Sequence, residues 1–249
     1  MTDKQFVNIA PEADKHYSKN IFEIDGYDEF YDRVVTVMLR HMNRGRIKGA
    51  KIIDLACGYG GFGKRMAALG ADIYYVDGRE GNLAAVKQQF PDAKTYLMNV
   101  EKDPFPSQIG KVDLVMCMGL IYHVSDPSVV FKKIAEVSSS CFVESTCLDH
   151  DGEAIVYLAE STDPVQFSLS GSACRPSPGW ISTQLSNSGF ASVQDVSHKD
   201  ANMPANPGYP GKVFDWKFER TCGWRRNECV LRKLFLATNL KEKDGLILT

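Results

Sequence analysis

The 249-residue chain has no run of about 18 apolar residues, the length a membrane-spanning helix needs. Residues 1–15 mix acids with lysines where a secretory leader would carry an apolar stretch. Both absences predict a soluble, cytoplasmic protein with no membrane partner. An excess of charge is also missing. The 29 Lys and Arg stand against 31 Asp and Glu, and a net charge of -2 is too weak a field to hold a polyanion nonspecifically. Nucleic acid is therefore disfavoured as a partner. The seven cysteines are odd in number and never form a Cys-x-x-Cys pair, so neither a disulfide framework nor a zinc site is expected; no carboxylate/histidine spacing argues for another metal. No repeat of fixed period appears, which excludes solenoids and propellers. What remains is ordinary globular composition, 44% hydrophobic and 24% charged, sufficient for one real core.

Within that composition the informative pattern is alternation. Short apolar runs at 51–55, 73–76, 94–98, 112–118 and 141–144 alternate with helix-period segments at 62–69, 82–90 and 128–137. Such repetition needs right-handed crossovers. It predicts an α/β, Rossmann-like fold whose seven-stranded, mostly parallel sheet carries helices on both faces, with strands near 192–196 and 229–237 completing it. Ahead of the sheet, Phe30, Val34, Val37, Met38 and His41 recur at helical steps, predicting an N-terminal helical lid within 1–47. The main domain is then 48–249, with long insertions at 149–176 and 198–228. The Ser177-Pro178 pair reads as an N-cap followed by proline at the first helical position, opening a helix that stops at Gly189. The cluster Arg40, Arg44, Arg46, Lys48 and Lys51 has few aromatics interleaved and reads as a solvated turn.

The segment Asp54-Leu-Ala-Cys-Gly58-Tyr-Gly60-Gly61-Phe-Gly63 follows a predicted strand and opens a predicted helix. Its glycines allow a tight bend and close approach of a ligand, and the helix N-terminus offers N–H groups and partial positive charge. Nineteen residues after Gly58, Asp77 ends the second strand, where a carboxylate could accept from both hydroxyls of a ribose. An adenosine-bearing cofactor is predicted. Gly58, Gly60 and Gly63 also satisfy Gly-x-Gly-x-x-Gly, so an NAD-dependent oxidoreductase is one reading.

The same segment resembles more closely the first motif of class I S-adenosylmethionine-dependent methyltransferases, Asp-x-x-Cys-Gly-x-Gly, through Asp54, Cys57, Gly58 and Gly60. An acid four positions before the bend suits a zwitterionic amino-acid tail and would repel a diphosphate. Downstream, Leu97-Met-Asn99-Val100-Glu101 is similar to the family's third strand end, with Asn99 in the place usually held by an aspartate that bonds the adenine amine. The stretch Cys117-Met-Gly119-Leu-Ile-Tyr122-His123-Val-Ser-Asp126-Pro127 resembles the Gly-Leu-Leu-Tyr-His-Leu-x-Asp-Pro segment of small-molecule members. The resemblance covers about residues 48–148. It implies S-adenosylmethionine as the cofactor, bound by Asp54, Ala56, Cys57, Gly58, Gly60, Asp77, Gly78, Asn99, Val100 and Met118.

The implied reaction is methyl transfer to a small-molecule acceptor, most simply at oxygen of a sugar or secondary-metabolite intermediate. His123, just past the fourth strand, is then the candidate general base, with an unperturbed pKa near ~6.5; its alternative role is to cap the following turn. Substrate contacts are expected from His16 and Tyr17, from Asp149 and His150, and from the loop holding Trp216 and Trp224, although aromatics there equally suit a local mini-core. No Asn/Asp-Pro-Pro-aromatic follows the fourth strand, as amino-methylating nucleic-acid enzymes would have; Asn206-Pro-Gly-Tyr209 lies in the wrong part of the chain. An RNA-modifying methyltransferase and a noncatalytic cofactor-binding subunit stay open as alternatives, and so does a homodimer.

Overall fold

The computed structural model describes residues 6–7, 27–160, 162, 168–197, 221–222, 229–239 and 245–248. The expected contributions of His16, Tyr17, Trp216 and Trp224 lie outside these residues, as does nearly all of the 198–228 segment. The chain order is β1 (Phe6–Val7), α1 (Tyr27–Arg40), β2 (Lys51–Leu55), α2 (Gly61–Ala68), β3 (Asp72–Asp77), α3 (Glu80–Gln89), β4 (Lys94–Leu97) and β5 (Leu114–Met118). There follow α4 (Pro127–Val137), β6 (Ser140–Leu148), β7 (Ile155–Ala159), β8 (Ser172–Pro176), α5 (Pro178–Asn187), β9 (Ser192–Asp195), β10 (Thr221–Cys222) and β11 (Cys229–Thr238).

Eight strands form the main sheet in the order β4-β3-β2-β5-β6-β11, with β10 and β9 both paired to β11. The strands β2 to β6 are parallel to one another, whereas β11 runs antiparallel to β6, β9 and β10. This separates the fold from the dinucleotide-binding Rossmann arrangement, whose order 3-2-1-4-5-6 has no reversed strand wedged inside the edge. Five of the eight strands fall on the apolar runs of the sequence and β9 and β11 on the strands expected near 192–196 and 229–237; the two-residue β10 is the addition.

Alternate residues of each strand feed opposite cores. Ile52, Tyr75, Leu114, Met116, Phe142 and Leu234 pack with α1, α2 and α3, while Ile53, Tyr74, Val115, Cys117, Val143 and Phe235 pack with α4 and α5. A strand buried on both faces has no polar face, which is why these segments read as continuous apolar runs. The five cysteines with described side chains, Cys57, Cys117, Cys141, Cys147 and Cys174, are free thiols in this interior.

Helix α1 packs into the core. Val34 and Met38 are fully buried against the same cluster as Ile52 and Leu114, because the helix's apolar stripe finds the uncovered face of the sheet. Met42 bridges to Ile247, tying this end of the chain to residues 245–248. Within 149–176, β7 and β8 pair antiparallel, and with β1 on the edge of β7 they form a second, three-stranded sheet. Ser177 caps α5 as its sequence suggests, accepting from Trp180 N–H at 3.2 Å. No helix among the described residues is long and apolar enough to cross a membrane.

Candidate active site

The glycine bend is built by three residues with positive φ, Ala56 at 56°, Gly58 at 53° and Gly60 at 79°, after which α2 begins. Ala56 bears a side chain in the left-handed region, a conformation that costs roughly 1–2 kcal/mol and persists where surroundings over-determine it. The bend is held from inside by two acids. Asp54 sits opposite Tyr75 in the β2–β3 register and accepts the Gly63 N–H at 2.8 Å through Oδ2. Helix α2 comes this close only because residue 63 is glycine: a Cβ there would stand 2.4 Å from the Tyr75 ring and 2.9 Å from Asp54 Oδ2. The third glycine of the motif is therefore a packing glycine.

Asp77, the last residue of β3, accepts Gly58 N–H at 2.9 Å through Oδ2 and, through Oδ1, Arg79 N–H at 2.8 Å and Asn82 Nδ2 at 3.1 Å. A carboxylate has about four acceptor positions, so this one keeps one for a ligand hydroxyl without displacing a donor. Burial raises the Asp54 carboxyl to about 7, opposed by its Gly63 hydrogen bond and reinforced by nearby Asp77. Asp77 is also shifted upward by burial, against its three hydrogen bonds. The Cys57 thiol lies beside both acids and is pushed up by burial and their charge, so it stays protonated and is no nucleophile.

At the carboxyl ends of β2, β3 and β5 opens a cleft that encloses about 610 Å³ when the solvent at its mouth is counted. It brings together Ala56, Asp77, Gly78, Asn99, Val100 and His123 from the sequence-derived set. Asp54, Cys57, Gly58, Gly60 and Met118 do not line it: Asp54 turns toward α2, and Met118 is buried in the core cluster. Asn99 reaches the cleft, but its Oδ1 already accepts Glu101 N–H at 3.0 Å in a local turn. Arg79 lines the cleft as well and donates to Ser168 O at 3.1 Å.

His123 lies in a short 3-10 turn (Ile121–His123) after β5. Its Nδ1 is 2.7 Å from Glu160 Oε2, and the two side chains are only 10% and 8% exposed. Burial lowers the His123 pKa, Glu160 raises it, and Arg175 and Arg232 lower it further. Tyr122 packs beside the imidazole with ring centroids 4.2 Å apart. Glu101 fixes the segment that follows by accepting from Ser125 N–H at 2.7 Å and Asp126 N–H at 3.3 Å.

The sequence reading passed over several contributors. Asn82, Glu101, Gly119, Leu120 and Leu169 also line the cleft. Leu169, from the β7–β8 hairpin, takes the space beside Gly78, where an added Cβ would come within 2.2 Å of its Cδ1. His150, expected to face substrate, instead accepts Gly152 N–H at 3.0 Å within its own exposed turn. Among the described residues, no group of three or more His, Cys, Asp or Glu side chains is placed to hold a metal.

A parallel sheet with one reversed strand near its edge, a glycine bend backed by an acid and a second acid at the end of the next strand are similar to the arrangement of class I S-adenosylmethionine-dependent methyltransferase domains. Residues 53–140 of the chain match the family described as Methyltransferase domain. The ubiquinone biosynthesis O-methyltransferase of Acinetobacter baumannii (strain AYE) is 32% identical over 94 residues, 35% of this chain and 39% of that protein. The enzyme of the same name from Bordetella avium (strain 197N) is 30% identical over 97 residues, 36% and 39% of the two chains. The chain thus spans about two fifths of the length of these curated relatives. Among solved structures, the N-terminal domain of EvdMO1 with SAH bound superposes with a TM-score of 0.59 at 18% identity, covering 85% of this chain and 80% of that one. An S-adenosylmethionine dependent methyltransferase from Mesorhizobium loti gives 0.56 at 19% identity, over 78% and 92%. The O-methyltransferase of a trans-AT PKS multienzyme of Brevibacillus brevis, in complex with S-adenosyl-L-homocysteine, gives 0.54 at 15%, over 85% and 75%. At these identities the likeness is one of fold.

Proposed function

We propose that the protein methylates a small-molecule acceptor at oxygen, a sugar or secondary-metabolite intermediate, with S-adenosylmethionine as methyl donor and His123 as general base. The observation that carries this reading is that one cleft gathers Asp77, Asn99 and His123 at the carboxyl edge of the sheet, where open α/β folds take ligands. The residues fit the donor. Asp77 offers an acceptor position to a ribose hydroxyl, and Leu55, Val76, Met98, Val100 and Leu120 supply apolar wall for an adenine ring. Of the glycine bend, Ala56 reaches the cleft wall, which brings the bend beside the amino-acid end of a donor bound there. Bound there, S-adenosylmethionine supplies a methyl group already activated by its positive sulfur.

What the chain must add is alignment, exclusion of water and removal of one proton. A hydroxyl nucleophile needs a base, and His123, which lines the cleft and is kept neutral at physiological pH by burial, takes that proton. The names of the sequence relatives and of the Brevibacillus brevis protein favour oxygen as the methylated atom. Incubation with isotopically labelled S-adenosylmethionine and a panel of sugar, phenol and polyketide hydroxyls, read as release of S-adenosylhomocysteine and gain of one methyl mass, tests the reading. Turnover on a hydroxyl acceptor that His123→Ala lowers by about 10²-fold or more, with cofactor affinity kept, is the expected result. Transfer to RNA, or tight cofactor binding with no transfer to any acceptor, would replace it.

A further inference from the structure

The β7–β8 hairpin stands outside the main sheet, and it places a buried carboxylate on the candidate base. Glu160 follows the last residue of β7, and its N–H bonds Gly171 O at 2.9 Å, so the closing rung of the hairpin fixes its backbone. A carboxylate whose side chain is 8% exposed is costly to bury as an ion unless it accepts good hydrogen bonds, and it accepts one at 2.7 Å from His123 Nδ1. An ionised carboxylate can only accept. The Nδ1 position of a neutral His123 therefore carries the proton, and Nε2 carries the lone pair.

We propose that Glu160 is a positioning residue for the methyl-transfer site: through Nδ1 it fixes the His123 tautomer and ring orientation, and it steadies the imidazolium formed when Nε2 takes the acceptor's hydroxyl proton. This rests on the reading of His123 as the base. The other charged and titratable groups around the ring come from different elements. Arg175 on β8 donates to Tyr122 O at 3.3 Å and Cys174 O at 2.7 Å, with its guanidinium 5.5 Å from the Tyr122 ring centroid. Arg232 on β11 donates to the Tyr122 hydroxyl at 3.3 Å and is paired to Glu144 of β6. Cys174, on β8, donates to Ile121 O at 3.3 Å, and burial pushes its thiol up to about 12, so it stays neutral. Burial and both arginines act against protonation of His123, and among the described residues Glu160 opposes them. Without Glu160, burial and the two arginines would lower the histidine's basicity further.

The test uses the full chain and Glu160→Gln, with Glu160→Asp as the charge-retaining control. The first readout is the pH titration of the His123 ring nitrogens by heteronuclear NMR, with no cofactor or acceptor present. In the wild type the Nδ1–H tautomer dominates. In Glu160→Gln the amide can donate as well as accept, so the tautomer bias is lost and the His123 pKa falls by about 1–2 units. Glu160→Asp restores both. The second readout is the pH profile of turnover. The acidic limb moves to lower pH in Glu160→Gln while the plateau drops about tenfold or more and the cofactor KM holds. A titration and tautomer unchanged in Glu160→Gln overturn the proposal. A shifted titration beside an unmoved rate profile upholds the pairing and removes His123 as the base, so the two readings fail separately.

Discussion

The Asp77 carboxylate holds the Gly58 amide at 2.9 Å, so the acid at the end of the second core strand and the glycine bend after the first are one hydrogen-bonded unit. Nineteen residues of chain separate them, yet neither can move without the other. Asp77→Ala therefore has two consequences. It removes an acceptor from the cleft, weakening S-adenosylhomocysteine binding by about 2 kcal/mol, the scale of a charged hydrogen bond. It also strands the Gly58 and Arg79 amides, destabilising the fold by about 1–3 kcal/mol. Asp77→Asn keeps an acceptor oxygen and loses less of both. Calorimetric titration and chemical denaturation of the same samples separate the two effects; a variant with unchanged binding would remove Asp77 from the cofactor site.

Asp54 predicts an unusual pH response. Its folded carboxyl titrates at about 7, whereas in the unfolded chain it returns to about 3.9. Between these values the folded state holds a proton the unfolded state has lost. This contribution to stability is full below pH ~4 and is lost as pH rises to about 7, by on the order of 4 kcal/mol if Asp54 acted alone. Asp77, shifted the same way, adds slope of the same sign. His123, lowered in the fold, contributes the opposite sign below its unfolded value. The Asp54→Asn variant, whose amide oxygen can still accept from Gly63, flattens the dependence and melts at a higher temperature than the wild type near pH ~8. Thermal unfolding of both proteins from about pH 4.5 to about pH 8 measures it. A variant with the same slope as the wild type would mean that the acid ionises freely in the fold.

Gly63 carries a steric prediction. Because a Cβ there would meet the Tyr75 ring at 2.4 Å and Asp54 Oδ2 at 2.9 Å, Gly63→Ala must push α2 off the sheet or turn Tyr75. The expected loss is about 1–3 kcal/mol of stability by urea denaturation. Either movement stretches the Gly63–Asp54 hydrogen bond, so cofactor affinity falls with stability. Adding Tyr75→Leu, which removes the clashing ring edge, recovers part of both. If Gly63→Ala is as stable as the wild type, the glycine answers to chain conformation and not to close packing.

The alternation of strands and helices was legible because β2, β3, β5 and β6 are buried on both faces and cannot hide a polar stripe. The glycine bend was legible because positive φ at Gly58 and Gly60 leaves few residue choices. The cleft was half legible: Asp77, Asn99 and His123 announce themselves at strand ends, but the hydrogen bonds that Asp77 and Asn99 accept come from neighbours that only folding supplies. Glu160 was not legible at all. It pairs with a residue 37 positions away across a hairpin whose register no local pattern sets. For Glu144 and Arg232 a signal existed, a charge of each sign inside apolar runs at Cys141-Phe-Val-Glu144 and Val230-Leu-Arg232-Lys-Leu. Opposite charges in two such strands point to adjacency, since burial of either alone is prohibitive.

That pair gives the last prediction. Glu144 is fully buried on β6 and takes a two-pronged contact from Arg232, Nε to Oε1 at 2.7 Å and Nη2 to Oε2 at 3.0 Å. Arg232→Ala leaves a carboxylate in the interior without its cation, at a cost of about 3–5 kcal/mol. Replacing both partners by apolar residues of similar volume, Glu144→Leu with Arg232→Met, recovers most of that loss, because neither charge then has to be desolvated. Denaturation of Glu144→Leu, Arg232→Met and the double variant measures the coupling. The pair also bears on chemistry, since Arg232 is one of the groups that lower the His123 pKa. In the double variant that positive charge is gone while Glu160 stays, so the His123 titration moves upward and the acidic limb of turnover moves with it. Full recovery of stability with the limb displaced toward higher pH would assign Arg232 to tuning the base; full recovery with an unmoved limb would assign it to the fold alone.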